Sequence, residues 1–183
     1  MITFPVLETD RLVLNQPVEE DLQDIVLHLN ETPEFAENTL TMPFPYSEND
    51  GRNWLKIIEK GFEEKNAFIF GIRLKNNLKL IGAVGLHLVA EHNKAEIGYW
   101  LAKEFWNQGI ISEAVEKVIH FGFKELQLNK IYASFYPHNP ASGKIMQKCG
   151  MRKEGYLPQE ILKNGRFLDL TRYSILKTDF QDF

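Results

Sequence analysis

A glycine-containing turn that leads straight into an amphipathic helix is the clearest chemical signal in this chain. The stretch WLAKEFWNQGIISEA ends a predicted strand and places Gln108, Gly109, Ile110, Ile111 and Ser112 at the start of the helix. A helix start has backbone N–H groups without helical partners, and glycine lets a ligand approach the main chain closely. We therefore predict that the amides of these residues bind an anion, with phosphate as the natural ligand.

A second, shorter helix further along the chain carries polar groups in its first turn. The stretch NPASGKIMQKCG has Asn139 as N-cap, proline at the first helical position and a glycine just past the end. Ser142 lies in the first turn, and a solvent-facing helix serine is the alternative to a functional role there. Lys144 could meet a phosphate as a point charge, although single lysines are more often surface residues.

The candidates for a general base lie on or near the central strands. Glu96 is preferred, and His87 and Glu91 remain alternatives. In the strand EIGYWL alternate side chains share a face, so Glu96 lies on the same side as Gly98 and Trp100. An exposed carboxylate at a strand end is nearly as good an interpretation. Because a positioned base contributes about 100- to 10,000-fold, loss of Glu96 should slow a reaction without abolishing it.

The elements that must position these residues alternate between strands and helices. The expected order is a strand over residues 9–14, a helix behind an acidic turn at 19–21, a proline-rich loop over 31–46, a helix after Ser47, a hairpin over 68–88, a strand over 95–101, a helix over 109–126, a strand over 130–136, a helix over 139–149, and a hairpin over 153–176 centred on Asn164-Gly165. This order, β-α-α-β-β-β-α-β-α-β-β, predicts an α/β (α+β) fold. Its central sheet should be mixed, mostly antiparallel and of about seven strands, with helices on both faces.

The whole-chain composition limits the possible functions. With 183 residues, 44% of them hydrophobic and 25% charged, the sequence predicts one globular domain over residues 1–183. A formal net charge of -4 argues against a broad nucleic-acid-binding surface. The single cysteine, Cys149, excludes an internal disulfide and fits a small apolar filler at a helix end. No run approaches ~18 apolar residues, so we expect no membrane span and a cytoplasmic location.

Several motifs in a fixed order resemble the GNAT acyltransferase superfamily, and within it the RimJ/RimL-like N-acetyltransferases. These motifs are EIGYWL, FWNQGIISEA and NPASGKIMQKCGM, together with LETDRLVL near the start and NGRFLDLTRYSIL near the end. The resemblance covers essentially the whole chain. The glycine motif departs from the general superfamily pattern at Trp106 and Ile111, and it is similar to the pattern of that branch.

The resemblance implies that acetyl-CoA is the co-substrate and that its diphosphate lies on the amides of residues 108–112. It also implies that the strand over residues 96–101 splays from the strand before Asn139 and that the pantetheine arm enters the gap between them. The family role of Asn139 is to form a hydrogen bond with the pantetheine arm. A backbone N–H near Tyr99, Trp100 and Leu101 would stabilise the oxyanion, and Ser142 would protonate the departing thiolate. We expect no metal, because acylation of an amine by a thioester needs none.

The acceptor cannot be derived from these residues. The resemblance to the ribosomal-protein acetylating branch favours a protein or peptide N-terminal amine. The alternatives are a small amine, such as a polyamine, an antibiotic or an amino acid, and a non-catalytic sensor that binds acyl-CoA. The proline-rich loop and the last hairpin are expected to shape the acceptor pocket, and the oligomeric state stays open.

Overall fold

A mixed sheet of eight strands is the framework of the molecule, whose computed structural model describes residues 3–180. The strands are β1 (Leu7–Glu8), β2 (Leu12–Asn15), β3 (Ala67–Leu74), β4 (Leu80–Val89), β5 (Lys94–Leu101), β6 (Lys130–Phe135), β7 (Arg152–Lys163) and β8 (Arg166–Leu176). The helices are α1 (Leu22–Leu29), α2 (Glu34–Glu37), α3 (Glu48–Glu63), α4 (Ile110–Lys124) and α5 (Pro140–Lys148). The strand order is β1-β2-β3-β4-β5-β6-β8-β7. The predicted mixed fold is confirmed.

The eighth strand is the short β1, which precedes the first predicted strand; that strand was predicted from residue 9 and begins only at Leu12. The chain turns between β1 and β2, where the Thr9 amide donates to the Leu12 carbonyl at 3.1 Å. The Leu12 amide in turn donates to Thr9 Oγ1 at 2.9 Å. A threonine hydroxyl that bonds nearby backbone competes with the strand ladder in this way. Residues 9–14 therefore form a turn and a short strand, and β1 pairs antiparallel with β2.

Neighbouring strands run antiparallel except β5 and β6, which are parallel. A parallel pair needs a crossover connection, and α4 supplies it as the sequence predicted. The helix buries Val115, Val118 and Ile119 completely or nearly so against the sheet. α1 and α3 pack on the other face, against β4 and β3. The sheet thus carries helices on both faces, and β5 lies between the two layers.

The capping and turn signals of the sequence are confirmed. Ser47 caps α3 by accepting a hydrogen bond from the Asp50 amide. In the last hairpin Asn164 and Gly165 have φ angles of 49° and 76°, which a tight two-residue turn requires. The proline-rich segment over residues 31–46 is irregular, as expected, apart from the short helix α2, which buries Phe35.

Candidate functional site

A gap between β5 and β6 forms the centre of the candidate site. The two strands pair only from Lys94↔Lys130 to Glu96↔Tyr132, although β5 continues to Leu101. Beyond that point they separate, and a cavity of about 330 Å³ lies between them. Its wall includes Phe35, Asn38, Trp100, Trp106, Phe135 and Ser142. The splayed strands agree with the expectation from the family resemblance.

The edge of β5 presents free backbone groups to this gap. The Ala102 amide donates to the Ile81 carbonyl on β4 at 2.8 Å, which fixes the alternation of the antiparallel β4–β5 ladder. By that alternation the N–H of Trp100 points to β4, while those of Tyr99 and Leu101 point to the gap. Since β6 has already separated there, the N–H groups of Tyr99 and Leu101 are free to bind a ligand.

Trp100 contributes its side chain to the site and not its amide. Its ring packs edge-on against Phe35 of α2, with ring centroids 6.1 Å apart. Trp106 packs against the same phenyl ring at 6.0 Å, and its indole Nε1 donates to the Leu101 carbonyl at 2.6 Å. These three rings form an aromatic wall that joins α2 to the strand end and to the turn before α4.

The start of α4 has the geometry of an anion site. Gly109 is the N-cap and has φ +76°, a left-handed conformation that glycine adopts without steric cost. The first amide of the helix that bonds back is that of Glu113, which donates to the Gly109 carbonyl at 3.1 Å. The amides of Ile110, Ile111 and Ser112 therefore lie in the first turn without helical acceptors. Three amides that converge in this way can bind one phosphate group.

Arg11 stabilises this turn, although the sequence analysis did not predict it as a site residue. Its Nη1 donates to the Gln108 carbonyl at 3.1 Å, and its Nη2 lies 2.6 Å from Glu113 Oε2. Thr9 Oγ1 also donates to Glu113, at 2.5 Å. Burial raises the pKa of Glu113, but the hydrogen bonds from Thr9 and Arg11 outweigh it and leave that pKa below its ordinary value. The Gln108 side chain turns away and donates to the Glu104 carbonyl. The only indication of Thr9 and Arg11 in the sequence was the motif LETDRLVL, which contains both residues.

The first turn of α5 is held by Asn139. Its Oδ1 accepts from the Ser142 amide at 3.4 Å, and its Nδ2 donates to Ser142 Oγ at 3.1 Å. The predicted N-cap is confirmed, and both ends of the Asn139 amide are used within the helix start. Since Ser142 Oγ accepts this bond, its own O–H proton is free to point into the cavity. Lys144 is exposed and is not part of the cavity wall.

Across the gap β5 contacts α5 directly. The Tyr99 hydroxyl donates to the Ser142 carbonyl at 3.1 Å, and burial raises the pKa of that hydroxyl. Gly143 packs against the ring of Phe135, where an added Cβ would lie 2.6 Å from a ring carbon. The glycine is therefore explained by close packing of α5 on β6.

Glu96 lies at the foot of the gap. Burial raises the pKa of its carboxyl, and the nearby Arg172 guanidinium partly opposes this shift. His87 lies directly opposite Glu96 on β4 and is exposed, although partial desolvation by its neighbours lowers its pKa. Glu91 is exposed in a turn after β4, and none of the three side chains is part of the cavity wall. Of the three sequence candidates Glu96 is therefore the nearest to the gap in the strand pairing, because it occupies its last paired position next to Tyr132.

Cys149 is not a nucleophile in this arrangement. It is buried at the end of α5, and burial raises the pKa of its thiol to about 12. Its Sγ lies 3.6 Å from the Ser112 carbonyl. A thiol with such a pKa is neutral near pH 7, and the thiolate is the reactive form.

Residues 3–180 contain neither a candidate metal site nor a candidate membrane-spanning helix. No group of three or more His, Cys, Asp and Glu side chains in this part of the chain could hold a metal ion. No helix within the same residues is long and apolar enough to cross a membrane.

Known proteins share the sequence pattern of this chain. The family described as "Acetyltransferase (GNAT) domain" matches residues 11–152. The uncharacterized N-acetyltransferase YoaA of Bacillus subtilis (strain 168) is 34% identical over 95% of this chain and 98% of its own length. The [ribosomal protein uS5]-alanine N-acetyltransferase of Escherichia coli (strain K12) is 26% identical over 63% and 60%.

A solved structure shares the fold. RimL, a ribosomal L7/L12 alpha-N-protein acetyltransferase in complex with coenzyme A, superposes with a TM-score of 0.84 at 18% identity, covering 94% of this chain and 98% of RimL. The splayed strands, the glycine turn and the capped serine helix thus occur in a chain that matches one family over most of its length. The chain belongs to the GNAT acetyltransferase family and is an N-acetyltransferase.

Proposed function

We propose that this enzyme transfers the acetyl group of acetyl-CoA directly to the N-terminal amine of a protein or peptide. The observation that carries the proposal is the end of the β5–β6 ladder at Glu96 and Tyr132. It leaves an opening between the strands, with the cavity wall reaching from Ser142 on one side to Phe35 on the other. A donor that enters along α4 and α5 can thus meet an acceptor that enters beside α2.

The proposed position of acetyl-CoA follows from the free backbone groups. The diphosphate lies on the amides of Ile110, Ile111 and Ser112, where a helix start attracts negative charge. The pantetheine arm runs along the unpaired edge of β5, and the thioester lies near the N–H groups of Tyr99 and Leu101. The RimL structure, which shares this fold, holds coenzyme A.

The reaction then needs no covalent enzyme intermediate. The acceptor nitrogen attacks the thioester carbonyl carbon, and the backbone N–H of Tyr99 or Leu101 stabilises the oxyanion that forms. The carbon–sulfur bond breaks, and the Ser142 hydroxyl stabilises the thiolate of CoA by a hydrogen bond; the thiolate takes up a proton from solvent, and Glu96 later returns its proton to solvent. Glu96 receives the proton that the amine loses, through a water relay. The products are an N-acetylated acceptor and free CoA.

The chemistry of the cavity supports a peptide terminus over a polyamine. Its wall contains one carboxylate, Glu34, and the remaining residues are neutral. A polyamine carries several positive charges near pH 7, and one carboxylate would leave the others unpaired. A peptide N-terminus brings one amine, with a pKa of about 7.7–8.0, that is partly neutral at working pH. The Escherichia coli relative that acetylates an alanine of uS5 is consistent with this acceptor class.

The test follows the release of CoA thiol from acetyl-CoA. A panel should contain short peptides with free N-termini, the same peptides already acetylated, spermidine and free amino acids. We expect thiol release with free peptide termini and none with their acetylated counterparts. Release with spermidine alone would contradict the proposed acceptor, and CoA binding by calorimetry without release from any amine would favour a sensor.

A further inference from the structure

Two oppositely charged side chains meet at the turn that begins α4. Arg11 Nη2 lies 2.6 Å from Glu113 Oε2, and Arg11 Nε donates to the same oxygen at 2.7 Å. The other carboxylate oxygen, Oε1, accepts from Thr9 Oγ1 at 2.5 Å and from the Arg11 backbone amide at 3.2 Å. Both oxygens of Glu113 are therefore bound by the segment that leads into β2.

A carboxylate in this place disfavours an anion. Glu113 lies in the first turn of α4, directly after the amides of residues 110–112, on which the proposed diphosphate lies. Burial raises the pKa of Glu113, but the hydrogen bonds from Thr9 and Arg11 outweigh it, so the carboxylate is charged near pH 7. Like charges within about one helical turn of each other repel. Glu113 would therefore weaken the binding of a diphosphate unless a cation offset its charge.

Arg11 offsets this charge and is also tied to the turn itself. Its Nη1 donates to the Gln108 carbonyl at 3.1 Å. Its Nη2 lies 3.6 Å from the place that a Cβ on Gly109 would occupy. A guanidinium has five N–H donors in one plane, so a single side chain can bond the carbonyl before the glycine and the carboxylate after it. The cation thus lies across the turn that carries the proposed diphosphate amides.

We propose that Arg11 is a positioning residue for the diphosphate of CoA, which neutralises Glu113 and holds the turn at Gln108 and Gly109 in the conformation that binds an anion. This inference rests on the position of acetyl-CoA in the proposed function, and it does not depend on the acceptor. It gives the segment between β1 and β2 a role in donor affinity through its contacts with α4.

The first test is the affinity of Arg11→Met for CoA, measured by calorimetry at low salt. The variant removes the cation and leaves Glu113 close to the diphosphate, so we expect the Kd to rise about 10-fold. Arg52→Met is the matched control. Arg52 is 46% exposed, against 47% for Arg11, and it also pairs with carboxylates, those of Glu19 and Glu48, but it lies on α3. An unchanged Kd in Arg11→Met would overturn the inference.

A second substitution separates charge from loss of structure. In the double variant of Arg11→Met with Glu113→Gln the repelling charge is gone, so most of the affinity for CoA should return. High salt should likewise reduce the difference between Arg11→Met and the wild type, because it screens charges near the surface. Thermal unfolding without ligand shows whether each variant is folded. A folded double variant that binds CoA as weakly as Arg11→Met would contradict the role of the Glu113 charge.

Acetyl-pantetheine, which lacks the diphosphate and the nucleotide, tests whether the effect is confined to the diphosphate. With this donor and the best peptide of the panel, Arg11→Met and the wild type should release thiol with equal kcat/KM. An equal loss with both donors would indicate a general loosening of the α4 start and would overturn the inference. Absence of thiol release by the wild-type enzyme with every amine would instead reject the proposed reaction, while the calorimetry with CoA still decides the role of Arg11.

Discussion

Glu96 and Tyr132 are the last pair at which β5 and β6 are in register, and the cavity opens immediately beyond them. The same geometry places a carboxyl at the foot of the opening and removes it from much of the solvent. Burial raises its pKa, and Arg172 only partly opposes the shift. A base with a raised pKa binds a proton more readily near neutral pH, which suits a group that receives one from an amine.

The raised pKa of Glu96 predicts a gain in stability for Glu96→Gln. A carboxyl whose pKa is raised on folding stabilises the protein fully below its unfolded value, about 4.5, and this contribution is lost as the pH rises through the folded pKa. The wild type therefore carries a buried charge at neutral pH that the variant lacks. Calorimetry should show a higher Tm for the variant at neutral pH and no such advantage below pH 4.5.

Activity should change in the opposite direction. Glu96→Gln should lower kcat with a peptide acceptor and remove the acidic limb of the pH–rate profile that belongs to this carboxyl. Glu91→Gln is the control, because Glu91 is exposed in the turn after β4 and is not at the end of the β5–β6 pairing, so it should leave both profiles unchanged. A rate equal to that of the wild type at every pH would exclude Glu96 as the base.

Ser142→Ala should slow the chemical step and leave donor binding intact. The hydroxyl accepts from Asn139 Nδ2 and has its proton free for the CoA thiolate. Thiolates are good leaving groups, so we expect a fall in kcat of roughly 100-fold, at the low end for acid catalysis. Calorimetry with CoA should give the wild-type affinity. Ser142→Thr, which keeps a hydroxyl, should recover part of the rate, and an unchanged rate in the alanine variant would remove Ser142 from the mechanism.

Gly109→Ala should weaken both the fold and CoA binding. The left-handed φ of +76° costs a residue with a Cβ about 1–2 kcal/mol, although the nearest atom, Arg11 Nη2, lies 3.6 Å away and leaves room. Gly165→Ala is a matched control, since Gly165 has the same φ of +76°, has no atom within 4 Å of an added Cβ, and lies in the distant last hairpin. Both variants should lose similar stability by denaturation. Only Gly109→Ala should lose affinity for CoA, and equal affinities would contradict an anion site at this turn.

Local signals in the sequence predicted the elements that form the site. The glycine before α4, the cap at Asn139 and the Asn164-Gly165 turn are each specified by one or two neighbouring residues, and the structure has each of them. The predicted strand over residues 9–14 begins too early, and the cause is again an interaction between neighbouring residues. A threonine side chain that bonds the backbone at Leu12 replaces ladder bonds that hydrophobic alternation alone suggested.

Contacts between distant residues could not be predicted from these patterns. Arg11 contacts Gln108 and Glu113 about a hundred positions later, and Lys163 reaches the carbonyls beside Asn38 from the last hairpin. Such contacts depend on how strands are ordered and registered. Register also decided which N–H groups of β5 face the gap, because a shift by one residue would exchange Trp100 for its neighbours.

Cys149 provides the last prediction, a test of direct transfer. Burial raises the pKa of its thiol to about 12, so the native enzyme should resist iodoacetamide near neutral pH and should react once denatured. Cys149→Ala removes a buried sulfur from the main core and should lower Tm by a few degrees, with kcat retained. Mass spectrometry after incubation with acetyl-CoA and no acceptor should find the thiol unmodified. An acetylated Cys149 that a peptide then discharges would replace direct attack by a two-step mechanism.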